Sequence, residues 1–167
     1  MELILVISMF VSALALGALA ILSRQLLQFV FFRKEPLEVD NIPFTWLSVG
    51  LVTALGWLLA GVSEPLRDTM RFIWASDATN KTMAILQYTG QLIGVTSLVW
   101  LIVLMTSYLI LKGIAGSRSI KIEMRNGNTA LAWLWGAILI GLALAVRTGM
   151  QTWLNMMVPM PDIPNIR

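Results

Sequence analysis

The chain contains no cysteine and no histidine. Without cysteine there is no disulfide framework, no thiolate nucleophile and no thiolate ligation of zinc or iron–sulfur clusters. Without histidine the commonest general base at neutral pH is missing. Charge is scarce too, at 13% of the 167 residues, about half the usual share of a soluble domain (roughly 25%). The Lys and Arg residues that give the net charge of +3 are scattered, so no basic tract tracks a phosphate backbone and nucleic acid is excluded as a partner. The carboxylates Glu35, Glu38, Asp40 and Glu123 alternate with Arg33, Lys34, Lys121 and Arg125. They read as solvated loops or lipid headgroup contacts, because nothing gathers them around a pocket as an acid–base pair. No catalytic, cofactor-binding or metal-binding residue is expected, and no small-molecule substrate is evident.

What the chain has in abundance is apolar surface. Hydrophobic residues make up 57% of it and the mean hydropathy is +0.78, outside the range of a water-soluble domain. A charge at the bilayer centre costs about 2.5–3.5 kcal/mol on insertion scales, so uncharged runs are the informative segments. Leu3–Ser23, Asn41–Ser63, Thr82–Leu111 and Asn126–Val146 hold 21, 23, 30 and 21 such residues, each enough to cross ~30 Å of hydrocarbon as a helix. The expected fold is all-α and integral to a membrane, with four transmembrane helices whose cores lie at about 3–23, 43–62, 90–111 and 129–146. Continuous apolar runs such as Leu101 to Met105 exclude the alternation of a β-barrel. The first run lacks a basic start and continues past Arg24, so it is expected to be a retained helix and not a cleaved signal.

With four crossings, Arg24, Arg33, Lys34, Lys112, Arg118, Lys121 and Arg125 share one side, against Arg67, Arg71, Lys81, Arg147 and Arg167 on the other. The richer side is expected in the cytoplasm, with both termini periplasmic. Trp46, Trp74, Trp133, Trp135 and Trp153 fall near span ends, as anchors at the membrane–water interface. Trp57 and Trp100 lie within spans and are expected to pack between helices, each indole N–H seeking a partner. Arg147 is expected to snorkel to the outer headgroups. Between the second and third spans, Leu66, Met70, Ile73 and Trp74 share a face behind Pro65, predicting a short interfacial helix. The prolines at 159, 161 and 164 make residues 158–167 an extended tail.

A shift of 85 residues aligns Arg33 with Arg118, Glu38 with Glu123, Asn41 with Asn126, Gly56 with Gly141, Leu59 with Leu144 and Ala60 with Ala145. This predicts a parallel duplication of a two-helix unit, 1–63 and 83–157, around an interfacial loop at 64–82, all within one membrane domain. The run Asn126-Gly127-Asn128-Thr129-Ala130-Leu131-Ala132, followed by the glycine-punctuated Gly136 to Leu144, resembles the YjfL-like family of small bacterial inner-membrane proteins. The resemblance covers residues 118–150; the first unit departs from it, with Ile42-Pro43 where Gly127-Asn128 stands. It implies a bacterial inner-membrane location and a duplicated fold, and it carries over no activity.

Small residues four apart let helices approach closely in lipid. Gly56 and Ala60, Gly90 and Gly94, and Ala137, Gly141 and Ala145 have this spacing and are the helix-packing candidates, with Gly90 and Gly94 the best placed for an intermolecular contact. The spans carry no charge near their centres, only hydroxyls such as Ser8, Ser12, Ser48, Thr53, Thr96, Ser97, Thr106 and Ser107, which helix carbonyls can satisfy. The expectation is a non-catalytic subunit of a larger envelope assembly, in contact with membrane lipid and with other membrane subunits or copies of itself. The alternative is a small homo-oligomeric channel lined by those hydroxyls.

Overall fold

A computed structural model describes residues 2–31, 41–75 and 80–157. The expected tail at 158–167, the loop charges from Arg33 to Asp40 and the side chains of Ser8 and Ser12 lie outside the described residues. Among the described residues every regular element is a helix: α1 (Glu2–Phe31), α2 (Ile42–Ala60), α3 (Ser63–Ala75), α4 (Lys81–Ala115), α5 (Ile120–Arg125) and α6 (Thr129–Met157). Three helical runs are long and apolar enough to cross a membrane: α2 with its continuation into α3, α4, and α6. In α1 the apolar helical stretch is shorter, Ala13–Gln28.

Asparagines start α2, α4 and α6. Asn41 accepts from the Phe44 N–H at 3.0 Å, Asn80 from Met83 at 3.1 Å and Asn128 from Leu131 at 3.2 Å, each satisfying an orphan donor of a first helical turn. The cap of α6 is Asn128, two residues beyond the Asn126 that the 85-residue shift pairs with Asn41. Between α2 and α3 the chain tightens: Gly61 and Val62 bond back three residues to Leu58 and Leu59. Pro65, which has no N–H for the carbonyl four residues back, stands in the first turn of α3.

At one end of the bundle α5 joins the starts of α2 and α6. Ile120 and Met124 bury its apolar side, the Asn41 amide donates to the Met124 carbonyl at 3.3 Å, and the Asn128 amide donates to Glu123 Oε2 at 2.8 Å. Gly127, at φ +83°, makes the turn into α6, a conformation that an L side chain strains. At the other end lies α3. It buries Leu66, Met70 and Ile73 as expected for an amphipathic helix, but that face is covered by α1 and α4, while Trp74 is 58% exposed. The apolar face thus serves the protein interior and not a lipid surface.

Contacts between α2 and α6 advance together along both helices, so the two run in the same direction. Trp46 stacks on Trp133 with ring centroids 4.4 Å apart, Gly50 meets Gly136, Gly61 meets Arg147 and Met150, and the Gln151 amide donates to Glu64. A Cβ on Gly50 would lie 2.6 Å from the Gly136 Cα, nearer than any side chain tolerates. Ala54 on α2 and Ala132 on α6, each four residues from its helix's glycine, are fully buried with them. These are the small residues four apart that bring two backbones together here.

The other helices follow. The end of α1 lies beside the start of α2, with the Arg24 guanidinium 5.6 Å from the Phe44 ring, and the last third of α4 lies beside the start of α6, where Ser107 and Tyr108 meet Trp135. On α4 the buried side is Leu92, Thr96, Trp100, Val103, Leu104, Ser107 and Leu111, whereas Leu98, Leu101, Ile102, Met105 and Leu109 face outward. The outward stripe is the more apolar of the two, the reverse of a helix on a water-facing protein. Such a surface fits hydrocarbon as its solvent.

The contact at Gly50 predicts a sign. Replacing Gly50 by Leu should destabilise the bundle by about 1–3 kcal/mol through overpacking, while Gly141→Leu, where a new Cβ meets no atom within 4 Å, should change it by less than about 0.5 kcal/mol. Reversible unfolding of both variants in mixed micelles compares the two directly.

Candidate functional site

The hydroxyls within the helices turn to their own backbones. Ser48 donates to Phe44 O, Thr53 to Val49 O, Thr96 to Leu92 O, Ser97 to Ile93 O and Ser107 to Leu104 O, all at 2.7–2.9 Å. Each hydroxyl proton is thereby met within its own helix. Among the described residues no three acidic side chains gather as metal ligands.

Two of the hydroxyls do more. The buried Trp100 indole donates to Ser23 Oγ at 2.6 Å, and Ser23 in turn donates to Leu19 O at 2.6 Å. The Trp135 indole donates to Ser107 Oγ at 3.1 Å, and Ser107 to Leu104 O at 2.8 Å. Each relay satisfies a buried indole N–H on a serine of the neighbouring helix, tying α4 to α1 and α6 to α4. Trp100 thus packs between helices with its donor met, as expected. Trp135 departs from the expected interface anchor: it is fully buried, because its position around α6 faces α4.

Trp57 is the converse correction. It is 45% exposed, with the Arg147 guanidinium 5.5 Å from its ring centroid. Arg147 is half-buried and held over that indole, its stem against Gly61, so a cation–π contact fixes it where free snorkelling was expected. Of the remaining tryptophans, Trp46 and Trp133 form their stacked pair at the α5 end, while Trp74 and Trp153 stand exposed at the α3 end.

The expected helix-packing residues divide from those just described. Gly56 is half-buried, and Ala60, Gly90, Gly94, Ala137, Gly141 and Ala145 are exposed in the single chain. A Cβ added at Gly90, Gly94 or Gly141 would meet nothing within 4 Å. The bundle's own close approach uses Gly50, Ala54, Ala132 and Gly136 in their place. Gly50/Ala54 and Ala132/Gly136 share their spacing with Gly56/Ala60 and Gly141/Ala145, so spacing alone does not single them out.

A cavity of about 240 Å³ opens at the α5 end, where the last turn of α4 leads through Gly116 into α5. It is lined by Tyr108 and Trp135, by Lys112, Arg118 and Lys121, and by Ser117 and Ser119. Gly116 permits the turn at φ +60°. Ser119 occupies the cap position of α5 without donating or accepting a capping bond.

No known protein family, curated protein or solved structure matches the chain.

The Trp135–Ser107 relay predicts a coupling. Ser107→Ala strands a buried N–H and should cost about 1 kcal/mol, within the range for hydrogen bonds in membrane helices; in a Trp135→Phe background the same change should cost close to nothing. A double-mutant cycle by reversible unfolding reads the difference, and additive effects would contradict the relay.

Proposed function

We propose that the chain is a non-catalytic integral-membrane subunit that crosses the bilayer four times, α1 included, and packs into a larger envelope assembly such as secretion or conjugation machinery. The observation that carries this reading is the outward turn of the small residues on α4 and α6: Gly90, Gly94, Ala137, Gly141 and Ala145 leave shallow seams that no described residue fills. In lipid, where the hydrophobic effect gives helices no reason to associate, such seams are where another helix gains close packing.

The Lys and Arg excess at the α5 end supports a cytoplasmic position for that end and periplasmic termini. The resemblance of residues 118–150 to the YjfL-like proteins supports a bacterial inner membrane. The parallel course of the asparagine-capped α2 and α6 supports a duplicated unit. The inward turn of the hydroxyls onto their own carbonyls weighs against a pore within one copy.

The reading predicts that gentle extraction from the native membrane, followed by native mass spectrometry, recovers the chain with stoichiometric foreign subunits, and that Gly90→Leu with Gly94→Leu releases them. A closed ring of identical copies without other chains would contradict it and favour a homo-oligomeric channel.

A further inference from the structure

Among the described cations several are engaged by a neighbour, Arg24 over the Phe44 ring among them, and three gather around one space. At the α3 end, Arg71 lies 4.0 Å from Asp68, Lys81 Nζ donates to Trp74 O at 2.9 Å, and Arg147 covers Trp57. At the α5 end, Lys112, Arg118 and Lys121 converge on one cavity, and no described carboxylate comes within 4.0 Å of them. The nearest acid in sequence, Glu123, is engaged elsewhere, its Oε2 accepting from the Asn128 amide. Three like charges around one small space repel each other, and a bound anion removes that repulsion.

We propose that this cavity binds the phosphate-bearing headgroup of an anionic lipid. Its volume of about 240 Å³ lies below the ~300–1,000 Å³ of pockets that enclose drug-sized ligands, and suits a headgroup fragment better than a whole nucleotide. The Lys and Arg side chains and the hydroxyls of Ser117 and Ser119 supply donors for phosphate oxygens. The choice of a lipid over a free anion comes from what adjoins the cavity. The outward stripe Leu98, Ile102, Met105 and Leu109 runs along α4 and reaches Lys112 three residues later, on the same helix face. An amphiphile with its phosphate among the three cations therefore has an exposed apolar track for its acyl chains. Tyr108 and Trp135 complete the lining beside the cations.

The inference rests on the membrane-embedded reading of the helices and on no partner protein. The test is native mass spectrometry of the whole chain in neutral detergent, titrated separately with phosphatidylglycerol, phosphatidylcholine and inorganic phosphate. Phosphatidylglycerol should stay bound at collision energies that strip phosphatidylcholine. Each cation near an anionic lipid is worth about fivefold in affinity, so Lys112→Gln, Arg118→Gln and Lys121→Gln together should weaken phosphatidylglycerol roughly a hundredfold. Lys112→Arg with Lys121→Arg should retain it, and Arg67→Gln, Arg71→Gln and Lys81→Gln at the α3 end should leave it unchanged. Helical circular dichroism checks the fold; should the triple variant unfold, Lys112→Gln and Arg118→Gln singly, both at exposed positions, carry the test at about fivefold each. Equal retention of the two lipids, or undiminished binding by the charge-removed variants, would overturn the proposal. So would retention of inorganic phosphate without preference for phosphatidylglycerol, which would make the ligand a soluble anion. Loss of the lipid preference while foreign subunits stay attached would remove this inference alone.

Discussion

Where Gly50 meets Gly136 two helix backbones come so close that a Cβ on Gly50 would lie 2.6 Å from the Gly136 Cα, and the placement of the other helices follows from that crossing. Close approach over a length of helix requires small residues on both partners, supplied by Gly50 with Ala54 and Ala132 with Gly136. Once α2 and α6 are parallel and in contact, α5 has a fixed distance to bridge, and the Asn41 and Asn128 amides meet it from either helix. Half of the apolar stretch beginning at α2 is buried within the protein, against 28% for α4 and for α6. α2 is therefore the helix that the others surround.

The same environment governs the polar groups. In hydrocarbon an unmet donor has no water to turn to, and the two buried indoles are met by serines that are themselves fixed to backbone carbonyls. Each relay costs the bundle two positions that could have been purely apolar. In return it sets the rotation of α4 against α1 and of α6 against α4, which dispersion between leucines leaves loosely determined. The glycine crossing and the relays are thus complementary: the first sets a distance, the second sets angles.

Much of the helix content was legible in the sequence because the cost of burying charge marks the long uncharged runs. The start of α2 at Ile42 falls one residue from the expected core at 43, with Asn41 as its cap and Pro43 in the first turn. What the runs do not encode is rotation. In a soluble helix the polar face points outward, but in lipid both faces are apolar, so nothing in the period distinguishes Gly56 and Ala60 from Gly50 and Ala54. Depth in a span misleads for the same reason: Trp57 lies deep in its run yet faces outward, and Trp135 lies near an end yet is buried. The basic cavity escaped because Lys112, Arg118 and Lys121 look scattered along the chain until the turn at Gly116 folds α5 back toward the end of α4.

The functional reading depends on α2 and α6 forming the interior, because only then are the seams of α4 and α6 and the basic cavity left on the outside. The absence of native cysteine lets this be tested without background. Trp46→Cys with Trp133→Cys should be joined within one chain by a short thiol-specific cross-linker in membranes, since the two indoles stack at 4.4 Å; Trp46→Cys with Trp153→Cys, at opposite ends of the parallel pair, should not. Cross-linking of the second pair in preference to the first would mean that the helices run antiparallel, and the account of the interior built on Gly50 and Gly136 would fall with it.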